Sequence, residues 1–243
     1  MSSLLALHGF TGSPRSWDFL PERERLVAPA LVGHAGASGD GDVISFEDEL
    51  DRLAALLPSR ETAHVLGYSL GARLALGLAL RHPARVSRLT LVSGHPGLGS
   101  DAERTARRAS DAGWCELLLT RGVPTFVDAW QAQPLWSSQA GLTEAVRAKK
   151  RSERLSQSAE GLVRSLRATG LAEMPCYAPQ LAEMRVPVTL LAGETDGKFC
   201  LIARAMASRL PRCRLDIVPG AGHDLLLERP ELITAMIRRG NQT

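Results

Sequence analysis

Gly67-Tyr68-Ser69-Leu70-Gly71 constrains this chain more than any other five residues in it. The apolar run Ala63-His64-Val65-Leu66 precedes it, and a helical pattern from Leu70 to His82 follows. G-x-S-x-G between a strand and a helix marks a sharp, strained turn that presents a serine hydroxyl at the edge of a sheet. The glycines are needed because the turn is strained and the adjoining strand and helix approach closely.

The rest of the chain agrees with that setting. Short apolar runs alternate with helical patterns, which favours a parallel sheet flanked by helices. Strands are predicted at 3–7, 26–31, 62–68, 88–93, 187–192 and 214–218, and helices near 46–57, 70–82, 198–209 and 225–239. Phe46, Leu50, Leu53 and Leu57 fall on one face of the first of these helices. One connection breaks the rhythm, because the segment between Val92 and Pro187 is far longer than one crossover helix requires. Its pattern is helical, with Ala159, Leu162, Val163 and Leu166 at i, i+3, i+4 and i+7. The expected organisation is an α/β core of residues 1–98 and 186–243, with a helical cap at 99–185 inserted after the fourth predicted strand. A separate packing subdomain is the alternative reading of that insertion.

Composition narrows the function. The chain has 243 residues, 44% hydrophobic and 23% charged, enough for a substantial core and unlike a disordered tail or disulfide mini-protein. A net charge of +3 is too small and too dispersed to suggest nucleic acid, yet 26 of the 29 basic residues are Arg. Most of that excess reads as compositional bias, unless some guanidinium forks grip carboxylate or phosphate. Cys115, Cys176, Cys200 and Cys213 show no metal-ligand spacing and read as reduced thiols, so no metal site is expected. The N-terminal run reads as a strand and not as a signal peptide, and no apolar stretch would span a bilayer, so a cytoplasmic protein is expected.

A serine hydroxyl needs a base, and the base needs an orienting carboxylate. His223 lies in Gly220-Ala221-Gly222-His223, after the last predicted strand, and Asp196 follows the strand before it. The order Ser69, Asp196, His223 therefore reads as a triad, with Glu194 as a local competitor for the acid. His8-Gly9-Phe10 follows the first strand, where the backbone N–H groups of Phe10 and Leu70 would face one developing oxyanion. The His8 side chain itself reads as structural. His34 and His95 lie on loops where they could line a pocket, while His64 and His82 read as structural or solvated.

With turn, triad order and oxyanion loop in place, the chain resembles the α/β-hydrolase superfamily over its whole length. More closely, it resembles the 2-succinyl-6-hydroxy-2,4-cyclohexadiene-1-carboxylate (SHCHC) synthases of menaquinone biosynthesis. The resemblance rests on His8 to Ser13, Gly67 to Arg73 and Gly193-Glu194-Thr195-Asp196-Gly197-Lys198-Phe199. Asp128-Ala129-Trp130-Gln131-Ala132-Gln133-Pro134 and Lys150-Arg151-Ser152 extend it into the cap. It implies an α/β-hydrolase fold and substrate-binding roles for Arg73, Arg107, Arg151, Tyr68 and Trp130. Arg108 replaces Arg107 if the register slips by one. Arg147, Arg151 and Arg154 also form a helical stripe that a solvated face would produce equally well. His95 stands where Asn or Ser is expected, and the family's usual N-terminal antiparallel hairpin is absent or truncated.

The reaction implied is a lyase reaction without metal or organic cofactor. Ser69, activated by His223 and Asp196, would take the proton α to the succinyl ketone of 2-succinyl-5-enolpyruvyl-6-hydroxy-3-cyclohexene-1-carboxylate, and pyruvate would leave. The implied partner is a small polycarboxylate substrate, with the protein a monomer or weak homo-oligomer. Two alternatives remain: a generic serine hydrolase (esterase, thioesterase or C–C bond hydrolase), and a non-catalytic ligand receptor on the same fold.

Overall fold

The computed structural model describes residues 3–21, 23–35, 37 and 41–240. Six strands, β1 (Ser3–Leu7), β2 (Leu26–Val27), β3 (Ala63–Tyr68), β4 (Val86–Val92), β5 (Val188–Gly193) and β6 (Cys213–Val218), form one sheet in the order β2-β1-β3-β4-β5-β6. Every pairing is parallel. Helices α1 (Phe46–Ala54), α2 (Leu70–Arg81) and α6 (Gly197–Ala207) belong to the core, as do the short α7 (Leu225–Glu228) and α8 (Pro230–Gly240). Between β4 and β5 lie α3 (Asp101–Gln131), α4 (Glu144–Leu155) and α5 (Ala159–Thr169), with a 3-10 helix at Pro134–Gly141.

Strands β1, β3 and β5 are apolar almost throughout because both faces of the sheet are covered there. In β1, Leu5 and Leu7 join a cluster with Phe46, Leu50 and Leu53 of α1 and Leu74 and Leu78 of α2. Leu4 and Ala6 point the other way, into a cluster with Trp17 and with Leu225, Ile233 and Ile237 of α7 and α8.

Two predicted elements differ in extent. The strand expected at 26–31 pairs only over Leu26–Val27. Beyond it, side chains capture the backbone donors that a ladder would use: the Leu31 N–H goes to His8 Nε2 and the Val32 N–H to Glu49 Oε1. The single helix expected at 225–239 is two helices, broken at Arg229 (φ −143°, ψ 52°). Pro230 supplies no N–H and forces the residue before it out of the helical region.

The insertion is helical, as its pattern predicts, and carries its own apolar cluster of Cys115, Leu118, Phe126, Val127, Leu162, Val163 and Leu166. α3 breaks inside its span at Gly122 (φ 76°, ψ 173°), two residues before Pro124. Leu171, Met174, Tyr177, Leu181 and Met184 instead pack into the main core. The last stretch of the insertion therefore lies against the main core. α4 is tied to the loop after β1 by Glu153, whose Oε1 accepts from Ser13 Oγ (2.6 Å) and Ser16 Oγ (3.2 Å). Gln157 adds a bond to the Gly12 carbonyl and one from the Ala35 N–H.

Candidate active site

Ser69 ends the run of β3 and begins the turn into α2, and its backbone sits at φ 52°, ψ −105°. That left-handed conformation is strained for a residue with a side chain. The flanking glycines permit it. A Cβ on Gly67 would lie 2.2 Å from the Gly71 carbonyl oxygen, and one on Gly71 would lie 2.0 Å from the Leu7 carbonyl oxygen. Strand, helix and neighbouring strand therefore meet through backbone alone.

Two further loops bring side chains to Ser69. His223 Nε2 lies 3.1 Å from Ser69 Oγ, and His223 Nδ1 lies 2.7 Å from Asp196 Oδ2. Asp196 also caps α6, where its Oδ1 accepts from the Phe199 N–H at 3.2 Å. The carboxylate is thereby fixed by the helix it starts. Both His223 and Asp196 are buried. Glu194, the competitor in the sequence, turns away to accept from the Gly220 N–H at 2.9 Å.

Groups the sequence did not single out hold this arrangement. Ser93 Oγ donates to the His223 carbonyl at 2.8 Å. Glu228 accepts from the Gly222 N–H at 2.7 Å and from the cap's Ser138 at 2.9 Å. Trp136 and Phe199 pack against the His223 ring, with centroids 5.5 and 4.5 Å away. A buried carboxylate bonded to the residue before a predicted base leaves no local sequence signal.

The loop carrying Phe10 is held by two buried histidines. Thr11 (φ 64°) donates its N–H to His34 Nε2 at 3.1 Å, which leaves the His34 proton on Nδ1, facing the Val32 carbonyl. His8 accepts from the Leu31 N–H at Nε2 and its Nδ1 faces the Gly9 carbonyl. Burial pushes the His34 pKa down to about 4 and that of His8 well below its ordinary value, so both rings are neutral. Their role is structural, with the ring nitrogens occupied by backbone. His64, pushed by burial to about 3, contacts Thr90 Oγ1 within the sheet. The first N–H of α2, that of Leu70, has no intrahelical acceptor, and Leu70 and Phe10 line the same cavity as Ser69.

That cavity, about 370 Å³, lies between the carboxyl edge of the sheet and the cap. Tyr68, Trp130, Arg73 and Arg107 line it. Trp130 stacks on Phe126 and meets the edge of Phe10 at 5.3 Å. Arg73 Nη1 donates to the Thr169 carbonyl at 2.8 Å. Burial and the nearby Arg107 guanidinium lower the Arg73 pKa to about 9. Arg107 is oriented by Asp111, whose two oxygens lie 2.9 and 3.0 Å from its Nε. Arg107 lines the cavity, whereas Arg108 points outward to Glu173. His95 and Lys198 also line the cavity.

Arg151 is not brought there. It is half-exposed and bonded to Asp128 (2.6 Å) and Gln131 (3.0 Å) on the outside of the cap. The arginine of α4 that turns inward is Arg154, 1% exposed, its guanidinium 4.9 Å over the Trp136 ring. Burial lowers its pKa, opposed by Asp224, Tyr68 and Glu153. The stripe of Arg147, Arg151 and Arg154 is thus graded, exposed at its start and buried where α4 meets the core loops.

A model of the alpha/beta hydrolase family matches residues 4–236. The chain is 37% identical to a Bacillus subtilis (strain 168) protein provisionally named 2-succinyl-6-hydroxy-2,4-cyclohexadiene-1-carboxylate synthase, covering 97% of this chain and 88% of that one. It is 33% identical to the Enterobacter sp. (strain 638) protein of that name, over 96% and 89% of the two chains. Among solved structures, MenH from S. aureus superposes with a TM-score of 0.94 at 30% identity, covering 100% and 95%. A thermophilic esterase from Thermogutta terrifontis, at 23% identity and a TM-score of 0.81, shares the fold.

Proposed function

Because this chain belongs to the SHCHC synthase family of alpha/beta hydrolases, we propose that Ser69 acts in it as a proton-abstracting base. The protein is a lyase of menaquinone biosynthesis that eliminates pyruvate from 2-succinyl-5-enolpyruvyl-6-hydroxy-3-cyclohexene-1-carboxylate. The observation that carries the residue assignment is one cavity containing both the Ser69–His223 pair and the Arg73–Arg107 pair. A reactive hydroxyl and two guanidinium forks in one enclosure suit a substrate with several carboxylates and one acidic C–H.

His223, held by Asp196, takes the Ser69 hydroxyl proton as Ser69 Oγ removes the proton α to the succinyl ketone. The electron pair moves onto the ketone oxygen, which the Phe10 and Leu70 N–H groups receive. The conjugated enolate then re-forms the carbonyl, shifts the ring double bond and breaks the ring C–O bond. Enolpyruvate departs, gains a proton and becomes pyruvate, leaving the cyclohexadiene. Ser69 keeps the abstracted proton as its hydroxyl, and His223 passes the proton it took to the departing enolpyruvate, which restores the triad. Arg73 and Arg107 hold carboxylates so that the α-proton faces Ser69, and Tyr68 and Trp130 line the ring's surroundings. Arg151 is left out of this set. All of these groups come from one chain, so a monomer suffices, and a charged small-molecule substrate fits a cytoplasmic enzyme. Among the described residues no helix is long and apolar enough to cross a membrane.

Purified protein given the enolpyruvyl substrate is expected to release pyruvate, and release no faster than background overturns the assignment. In the same assay Arg73→Ala and Arg107→Ala each lower kcat/KM by roughly 10- to 100-fold, the loss of a charge-assisted hydrogen bond. Arg151→Ala and Arg108→Ala change it by less than about threefold, because exposed ion pairs contribute little. An Arg151→Ala loss as large as that of Arg73→Ala would return Arg151 to the substrate.

A further inference from the structure

His95 follows β4 in a loop whose backbone is fixed from outside the cavity. Gly97 adopts φ 98°, and a Cβ there would meet the Pro175 carbonyl oxygen at 2.4 Å. The Tyr177 N–H donates to the Pro96 carbonyl at 2.6 Å. Within this loop the Gly97 N–H donates to His95 Nδ1 at 3.0 Å. A neutral imidazole that accepts at Nδ1 carries its proton on Nε2. Nδ1 is therefore committed to the loop, and the opposite edge of the ring is a donor for whatever occupies the cavity that His95 lines.

The surroundings of that donor are strongly cationic. Arg73 of α2, Arg107 of α3 and Lys198 of α6 face the ring, with Glu103 of α3 the one acidic group among the charges acting on it. Phe199 packs against it edge-on at 6.5 Å. Burial first, then the three cations, push the His95 pKa down to about 4. The ring is neutral, next to two guanidinium groups that share Asp111 as an anionic neighbour.

We propose that His95 is a further substrate-binding residue, which donates from Nε2 to a substrate carboxylate held by Arg73 and Arg107. The inference rests on the polycarboxylate reading of this cavity. An incoming carboxylate gives the Nε2–H a charged acceptor while Nδ1 keeps the Gly97 N–H, so the ring stays neutral through binding.

The test uses the full chain and two probes: the enolpyruvyl substrate in pyruvate-release kinetics between pH 5.5 and 8, and tricarballylate, an unreactive tricarboxylate, in titration calorimetry. Calorimetry at pH 8 reads the affinity for tricarballylate with its carboxylates ionised. His95→Asn keeps an acceptor for the Gly97 N–H while removing the ring's donor edge. It is expected to raise KM and the tricarballylate Kd roughly tenfold and to leave kcat within about twofold. His95→Gln, whose longer side chain returns an amide donor and cannot ionise, recovers part of both affinities. An unchanged KM or an unchanged tricarballylate Kd in His95→Asn overturns the proposal. A wild-type protein that releases no pyruvate overturns the reaction assigned above, while the tricarballylate titration still decides the role of His95.

Discussion

Ser69→Ala is expected to lower kcat for pyruvate release by roughly 10²–10⁴-fold, the range for removing a positioned general base. KM stays within a few-fold, because Arg73 and Arg107 hold the carboxylates independently of the Ser69 hydroxyl. Asp196→Asn is expected to cost a similar factor by a different route. Asp196 Oδ2 sits 2.7 Å from His223 Nδ1 and selects the tautomer whose bare Nε2 faces Ser69 Oγ at 3.1 Å. An amide nitrogen in that place would reverse the tautomer and present an N–H to Ser69. The double variant should be little worse than either single one, since the three residues act as a unit. If Ser69→Ala keeps more than about a tenth of the wild-type rate, Ser69 is not the base. A fast covalent burst with p-nitrophenyl acetate in the wild type, together with no pyruvate release, would turn the reading to a serine hydrolase of the same fold.

Gly71→Ala is expected to produce the largest loss of stability from a single added methyl group. Its Cβ would lie 2.0 Å from the Leu7 carbonyl oxygen, 2.4 Å from the Leu7 carbonyl carbon and 2.6 Å from the His8 carbonyl oxygen. All three are backbone atoms at the end of β1, so no side-chain rotation relieves the clash. Either α2 moves off the sheet or β1 shifts, and the second displaces the loop carrying Phe10. Overpacking of this kind costs about 3 kcal/mol or more, which in a domain of this size lowers Tm by roughly 6–12 °C. Gly113→Ala provides the opposite sign, because it lies in α3 with nothing within 4 Å of the added Cβ. It should stabilise by about 0.5–1 kcal/mol through helix propensity. Thermal melts of the three proteins under one buffer decide the matter, and a Gly71→Ala protein that melts with the wild type would refute the close-approach argument.

The parts of this fold that were legible in the sequence are those where one residue type has one physical outcome. The inner strands β1, β3 and β5 stand out as apolar runs because both sheet faces are covered there, as the split of Leu4 and Ala6 from Leu5 and Leu7 illustrates. The elbow is legible because only glycine fits where β1, β3 and α2 touch through backbone. The chain order of Ser69, Asp196 and His223 is legible because each follows its own strand at the carboxyl edge. The end of β2 is not legible, because the groups that end it, His8 and Glu49, are remote in sequence.

The sequence by itself therefore determines the parallel sheet, the strained serine turn, the triad order and the presence of a helical insertion. It also limits Arg73 to one turn past Ser69, and so to the same edge of the sheet. Only the tertiary structure decides among chemically equal neighbours: Asp196 over Glu194, Arg107 over Arg108, and Arg154 turned inward while Arg151 stays with Asp128. It likewise places His95 and Lys198 beside Arg73 and Arg107. The physical reason is that helical periodicity fixes which residues share a face, while the direction of that face is set by contacts with distant segments. For α4 those contacts are Glu153 with Ser13 and Ser16, beside Lys150 at 2.9 Å, and they press the end of the helix, and Arg154 with it, against the core.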